Sequence, residues 1–335
     1  MPRLGRHACT TVTYLAKSFA VISAVTLGAP LQLTQAGDYP DRAIQLVVPF
    51  TAGGNTDTIA RLLADQMQLT LKQPVVVLNK PGAGTNIGAA YVATSDPDGY
   101  RMLLNAPASF VVNQFIFKNL EYDPDTAFAP VCLPARVPNV LVVHPSLGVS
   151  TIQQLIDKIK ANPGTIQYAT AGIGTTSHLA AALFAAMAGL DTSGVPYRGT
   201  AQSVLDVVAG RLAFTIDNIG PLLPFVKSGD LIALGVSTKE AVEALPEVPP
   251  INTVLKGYEL SPWNVLVMPA KTPSEILQQV GRECDRIVHL PEVADKIRLI
   301  GSEPVGGSPE STAEFLKAER PKWEAAIKAA NIPKL

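Results

Sequence analysis

From Ile44 the apolar positions run almost unbroken through "IQLVVPF", and then the period changes. Over "TDTIARLLADQMQLTL", Ile59, Leu62, Leu63 and Met67 recur three and four residues apart, which marks one stripe of a helix. "PVVVLN" predicts a second strand, "GTNIGAAYVATS" a helix of small residues and "YRMLLNAP" a third strand. Strands joined by helices predict parallel pairing, and their near-continuous apolar character predicts cover on both faces.

The same grammar restarts near "PNVLVVHPSLGVSTIQQLIDKIKANPG". Ile152, Leu155, Ile156 and Ile159 form a stripe, Ser150 with Gln153 fits a capping box, and Pro163-Gly164 closes the helix. Strand and helix patterns alternate through "TIQYATAG", "TSHLAAALFAAMAG", "GVPYRG", "AQSVLDVVAG", "LAFTIDN" and "LIALGVST". The tail returns with "WNVLVMPA" and three helical stretches. Strand-rich crossings near 130–145 and 256–268 would join two α/β units around a cleft. Ligands of open parallel sheets sit outside the carboxyl ends of strands, here "PFTAGGNTD", "NAPAS" and "YATAGIGTTSH".

These loops suit an anion. Gly53 and Gly54 permit unusual backbone angles, Asn55, Thr56 or Asp57 can cap the next helix, and its first turn presents unpaired N–H groups with partial positive charge. There is no Gly-Lys-Ser/Thr ending of a P-loop, so nucleotide hydrolysis gains no support. Gly82, Gly84 and Gly88 miss the dinucleotide-binding spacing by one residue. In the second unit Gly172 and Gly174 bend the chain, and Thr175, Thr176 and Ser177 offer hydroxyls. Ser177 and His178 are adjacent, hence about 100° apart on a helix and badly placed to share a proton; no Gly-x-Ser-x-Gly elbow accompanies them. Tyr197 offers a ring and a hydroxyl, and Arg198 a charge that either pairs with a carboxylate or faces solvent. Asp217 and Asn218 end a strand, where they face the cleft or cap a turn. Trp263 stacks on a ligand or packs at the second crossing.

Composition narrows the class. Residues 1–36 carry Arg3, Arg6 and Lys17 but no acid, then the broken apolar run "FAVISAVTLGAPLQL" and the small-residue stop "TQA". That describes a secretory signal cleaved near Ala36 rather than a membrane anchor. Cleavage would leave 299 residues, with 24 basic against 28 acidic side chains and a net charge of about −4. Such a balance gives no footprint for nucleic acid. The remaining histidines, His144, His178 and His289, sit at no metal-ligand spacing with a cysteine or one another, so no zinc site is expected. Cys132 and Cys284 stand 152 positions apart; they either bridge or remain two buried thiols, and form no disulfide framework.

Four ordered stretches carry a resemblance: "YPDRAIQLVVPFTAGGNTDTIARLLADQM", "PVVVLNKPGAGTNIGAAYVATSDPDGYRMLL", "GVPYRGTAQSVLDVVAGRLAFTIDN" and "EPVGGSPESTAEFLKAERPKWEAAIKAANI". From Tyr39 onward the chain resembles the Bug-type extracytoplasmic solute receptors of tripartite tricarboxylate transporters. The resemblance implies a two-lobed α/β periplasmic binding protein fold of type II-like form. Lobe 1 would be 37–137 with 265–335 and lobe 2 138–264. It implies a monomer without catalytic residues or cofactor, which captures a small di-, tri- or aromatic carboxylate for membrane partners. A ligand sensor feeding a membrane signalling protein would share the same fold, and a periplasmic hydrolase is the remaining alternative.

By position, the first-lobe pocket loop would be Phe50, Thr51, Ala52, Gly53, Gly54, Asn55, Thr56 and Asp57. Asn86 and the loop Ala106, Pro107, Ala108, Ser109 would complete that wall. Gly172, Thr175, Thr176 and His178, then Tyr197 and Arg198, then Asp217 would form the second. The chain departs from the pattern at Asn55, where many relatives have proline, at Arg198, where lysine is commoner, and near Asn264, where a small residue is usual. Pro321 should kink the last helix.

Overall fold

The computed structural model describes residues 39–330, Ile332 and Lys334. The expected secretory signal at 1–36 lies outside them.

The alternating patterns fold in the expected places. β1 (Ile44–Val48), α1 (Asn55–Leu71), β2 (Val75–Asn79), α2 (Asn86–Ala93) and β3 (Arg101–Asn105) form the first run. After Ala106-Pro107 a wide helical turn, Ala108–Val112, leads into the short α3 (Asn113–Ile116). β4 (Phe128–Arg136) then hands the chain to β5 (Asn139–Val143). The second run is α4 (Ile152–Ala161), β6 (Gln167–Thr170), α5 (Thr176–Ala188), β7 (Ser193–Pro196), α6 (Thr200–Val208), β8 (Phe214–Asn218), α7 (Ile219–Ser228) and β9 (Ile232–Val236). β10 (Trp263–Pro269), α8 (Ser274–Val288), α9 (Pro291–Leu299), β11 (Glu303–Gly306) and α10 (Pro309–Ala329) bring it back.

Two sheets result, ordered β11-β4-β10-β3-β1-β2 and β7-β6-β8-β5-β9. β1 is parallel to β2 and β3, and β6 is parallel to β7 and β8. The expectation of parallel pairing fails at the crossings. β10 runs antiparallel between β3 and β4, β11 antiparallel to β4, and β5 antiparallel to β8 and β9. A strand that re-enters a sheet from another lobe, without a crossover helix on that sheet, is free to enter from the opposite end. The two crossings lie side by side, Val137 N–H donating to Pro262 O at 2.7 Å.

Strand alternation explains the double cover. Val47, Leu103, Val265 and Val267 face one apolar cluster; Leu46, Val48, Met102, Leu104, Leu266 and Met268 face another, under α1, α8 and α9. The first cluster continues without a break into the second sheet through Leu141, Phe184 and Phe214. Cys132 of β4 and Cys284 of α8, both fully buried, are disulfide-bonded.

Two local expectations need correction. The α4 cap is Thr151, whose hydroxyl accepts from Gln154 N–H; Gln154 Oε1 accepts from the N–H and hydroxyl of Ser150, so the expected Ser150–Gln153 box is replaced by a cap one residue later without a reciprocal bond to the cap's own N–H. None of Asn55, Thr56 and Asp57 caps α1: the cap is Gly54, with no side-chain acceptor. α10 continues through Pro321, which removes one donor without ending the helix.

Candidate functional site

Between the two sheets lies a small cavity on which four helix starts converge. Gly54, Asn55 and Thr56 open α1 from the six-stranded side; Thr175, Thr176 and Ser177 open α5, Thr200 opens α6 and Asn218 precedes α7 from the other. Phe50, Thr51, Ala106, Ala171 and Asp217 complete the lining. First-turn amides of a helix have no intrahelical acceptor. The caps of α1, α6 and α7 (Gly54, Gly199 and Asn218) supply no side-chain acceptor either. Only α5 is closed this way, Thr175 Oγ1 accepting from His178 N–H. At the start of α7 the Asn218 and Ile219 amides are already spent on Asp217 Oδ1 and Pro138 O and Pro221 has none, so the partial positive charge and uncapped donors that meet across the cavity come chiefly from α1 on one side and α6 on the other. The space left is about 20 Å³, room for water rather than an organic acid. An adjoining cavity of about 580 Å³ shares Phe50, Ala171 and Thr175 and opens past Gly172, Tyr197 and Arg198.

Nine of the expected positions thus meet in the small cavity: Phe50, Thr51, Gly54, Asn55, Thr56, Ala106, Thr175, Thr176 and Asp217. Gly172, Tyr197 and Arg198 line the larger one. The Tyr197 hydroxyl is already spent on Asp206, which also pairs with Arg211. Ala52, Gly53, Asp57, Asn86, Pro107, Ala108, Ser109 and His178 line neither. Asp57 turns back into its own loop, accepting from Gly53 N–H at 3.0 Å, Asn79 Nδ2 at 2.9 Å and Arg61 at 3.0 Å. Asn86 Oδ1 accepts from Asn113 Nδ2 and Tyr122 OH, and Ser109 bonds Thr85 and Asn105. Ser177 and Asn218, read in the sequence as a loop hydroxyl and a strand end, also line the small cavity, as do Ala171 and Thr200, which were not singled out; Thr200 carried a readable signal, a helix start after Gly199.

Electrostatics separates the two aspartates. Burial acts to raise the Asp57 pKa, but Arg61, Gly53 N–H and Asn79 together outweigh it and hold the carboxyl below its usual range. Asp217 is 1% exposed. Burial pushes its pKa up to about 6, against the pull of Asn218 N–H, Thr200 and the nearby Ser177. Its Oδ1 accepts from Asn218 N–H at 2.7 Å and Thr200 Oγ1 at 3.3 Å; its Oδ2 has no partner, and neither has Asn218 Oδ1. No other titratable side chain lines the small cavity. Burial lowers the His178 pKa, which favours the neutral ring, and its Nδ1 accepts from Gly174 N–H.

The departures also acquire places. Asn55 Nδ2 donates to Ile300 O and Ser302 Oγ, and Asn264 Nδ2 donates to Thr56 Oγ1 at 3.0 Å. Both brace the α1 start. A cavity of about 660 Å³ lies behind the crossings under α10. Its buried carboxylate, Glu319, is consumed by the indole N–H groups of Trp263 and Trp323, each 3.0 Å away, and by Lys322. Neither a helix start nor a vacant side-chain acceptor is found among its lining, in contrast to the cleft.

Two α/β sheets joined by paired crossings, with helix starts facing each other across a cleft, define a two-lobed periplasmic binding protein fold. The tripartite tricarboxylate transporter family receptor profile, TctC, matches residues 59–332. Protein BugT of Bordetella pertussis is 32% identical over 311 residues, 92% of this chain and 94% of its own. A UPF0065 protein of Pseudomonas sp. strain P51 is 36% identical over 291 residues, 86% of each chain. Among solved structures, Rpa4515 of R. palustris with adipate has a TM-score of 0.86 at 36% identity, covering 89% of this chain and all of that one. The periplasmic binding protein BugD has a TM-score of 0.84 at 32% identity over 89% and 100%. MatC of Rhodopseudomonas palustris with bound malate has 0.82 at 27% over 86% and 100%. The chain belongs to the TctC receptor family, as a Bug-type member.

Proposed function

We propose that this protein captures a small organic carboxylate in the periplasm and presents it to the membrane components of a tripartite tricarboxylate transporter. The observation that carries the reading is the convergence of four helix starts, three without side-chain caps, on one cavity between the sheets. Adipate and malate in two relatives accord with it. The lobes would be 37–137 with 265–335 against 138–264, with 1–36 removed on secretion. Among the described residues no helix is long and apolar enough to cross a membrane.

Binding without turnover is the reading's chemistry. Ser177 Oγ accepts from Ala171 N–H and His178 Nδ1 from Gly174 N–H, so neither activates the other. The cavity's small volume requires the lobes to part for entry, and a ligand that bridges both would favour the closed state. A thermal-shift screen of the purified protein against di-, tri- and aromatic carboxylates tests this. Stabilisation by an acid that is recovered unchanged is expected. Failure of every acid to stabilise, or steady product formation at substoichiometric protein, would refute it.

A further inference from the structure

The carboxylate-receptor reading leaves one acidic group unexplained. Asp217 closes the β8 end of the cavity, is almost wholly buried, and has spent only one of its oxygens. An unpartnered carboxylate oxygen inside a protein is expensive, and Asn218, which lines the same cavity, has an equally unpartnered Oδ1. Both are acceptors. No cation lines the cavity to satisfy them. Amides at the helix starts offer donors to an anion, whereas this end of the cavity carries a negative charge and two vacant acceptors, with the Thr200 hydroxyl spent on Asp217 Oδ1 and the Ser177 hydroxyl nearby. A plain diacid would meet the first demand and violate the second.

Resting on the receptor reading, we propose that Asp217 selects acids that carry a hydrogen-bond donor, a hydroxyl or an ammonium group, beside their carboxylates. The carboxylates sit on the helix-start amides, and the donor reaches Asp217 Oδ2. Sites built to bond a ligand hydroxyl reject the analogue that lacks it, because the site's own polar group is left unpaired. The discrimination should therefore reach at least about tenfold in Kd, the scale of a hydrogen bond to a charged acceptor.

Matched pairs test this by calorimetry on the purified protein at neutral pH: succinate against malate and aspartate, glutarate against 2-hydroxyglutarate and glutamate. The wild type should prefer the donor-bearing member of the pair that binds best. In Asp217→Asn the preference should shrink to about threefold or less. The plain diacid should bind as well as before or better, because a repelling charge has gone. A residue of merely structural importance would weaken both members alike. Equal or tighter wild-type binding of the plain diacid, or an unchanged ratio in Asp217→Asn, would overturn the inference alone. Binding of no acid in either class would overturn the receptor reading, and this inference with it.

Discussion

Gly220, at the start of α7, rests against the carbonyl of Ile300 at the end of α9: a β-carbon at 220 would stand 2.8 Å from that oxygen and 3.0 Å from Asn55 Nδ2. α7 packs on the five-stranded sheet and α9 on β11 of the other, so the contact spans the cleft. Three more glycines meet the opposite side in the same way. Gly199 faces Thr51, Gly84 faces Ile173 O, and Gly174 faces Asn113 Oδ1 and Phe117. The closed arrangement depends on side chains being absent along this seam.

Gly220 gives a clean test, because its backbone lies outside the left-handed region and alanine favours a helix. Gly220→Ala should keep the unliganded melting temperature within a few degrees. It should weaken ligand binding by roughly tenfold or more, since apparent affinity scales with the population of the closed form. Small-angle scattering should show the ligand-induced compaction reduced. Wild-type affinity in this variant would mean that the seam does not control closure.

Asp57 braces the first-lobe loop, so its substitution should act through stability as well as binding. Asp57→Asn loses charge-assisted bonds to Gly53, Asn79 and Arg61. The variant should be less stable by about 1–3 kcal/mol at pH 7. The folded pKa is depressed, so this stabilisation is present above the ordinary carboxylate value of 3.8 and disappears as pH falls through the folded value. Denaturation curves of the two proteins should draw together as the pH falls below the ordinary carboxylate value of 3.8 and through the depressed folded one; a constant gap across pH would exclude the charge as its source.

Much of this was legible in the sequence where one period governs. Ile59, Leu63 and Met67 are buried as their spacing requires. Val47 and Val48 face opposite apolar clusters, as a continuous apolar strand with double cover demands. The cleft-facing loops were legible too, because strand ends followed by glycines and helix starts leave donors unpaired. Strand direction was not legible, since β10 has the same apolar pattern whether it enters parallel or antiparallel. Nor was Asp57's direction: a carboxylate three residues into a helix satisfies the same local pattern whether it faces a ligand or folds back on Gly53. Arg61, one turn later, and Asn79, from β2, decided the matter through contacts that spacing does not encode.

The disulfide is a further case in which distance along the chain concealed proximity. Cys132 on β4 and Cys284 on α8 close a loop of 152 positions beneath the second apolar cluster. Replacing both by alanine should lower stability by about 2–4 kcal/mol, a drop of several degrees in melting temperature. Both sulfurs are fully buried, so reductant should act slowly on the native protein and fast only once it opens. An unchanged melting temperature in the double variant would show that the bridge contributes nothing measurable.

Asp217 should behave oppositely to Asp57. Its folded pKa, about 6, lies above the ordinary 3.8 because burial penalises the charged form. Between roughly pH 4 and 6 the folded protein retains a proton that the unfolded chain releases, so stability falls as pH rises through that window. Above it the penalty is complete, up to roughly 3 kcal/mol by the size of the shift. Asp217→Asn removes the charge, and the unliganded variant should be the more stable protein at pH 7.5, melting a few degrees higher. The difference should close by pH 4. A carboxylate that the fold would do better without, placed where a ligand can reach it, is the signature of a group kept for binding. Loss of stability at pH 7.5 in Asp217→Asn would mean that the charge is satisfied within the protein, and that its vacant oxygen does not face the ligand.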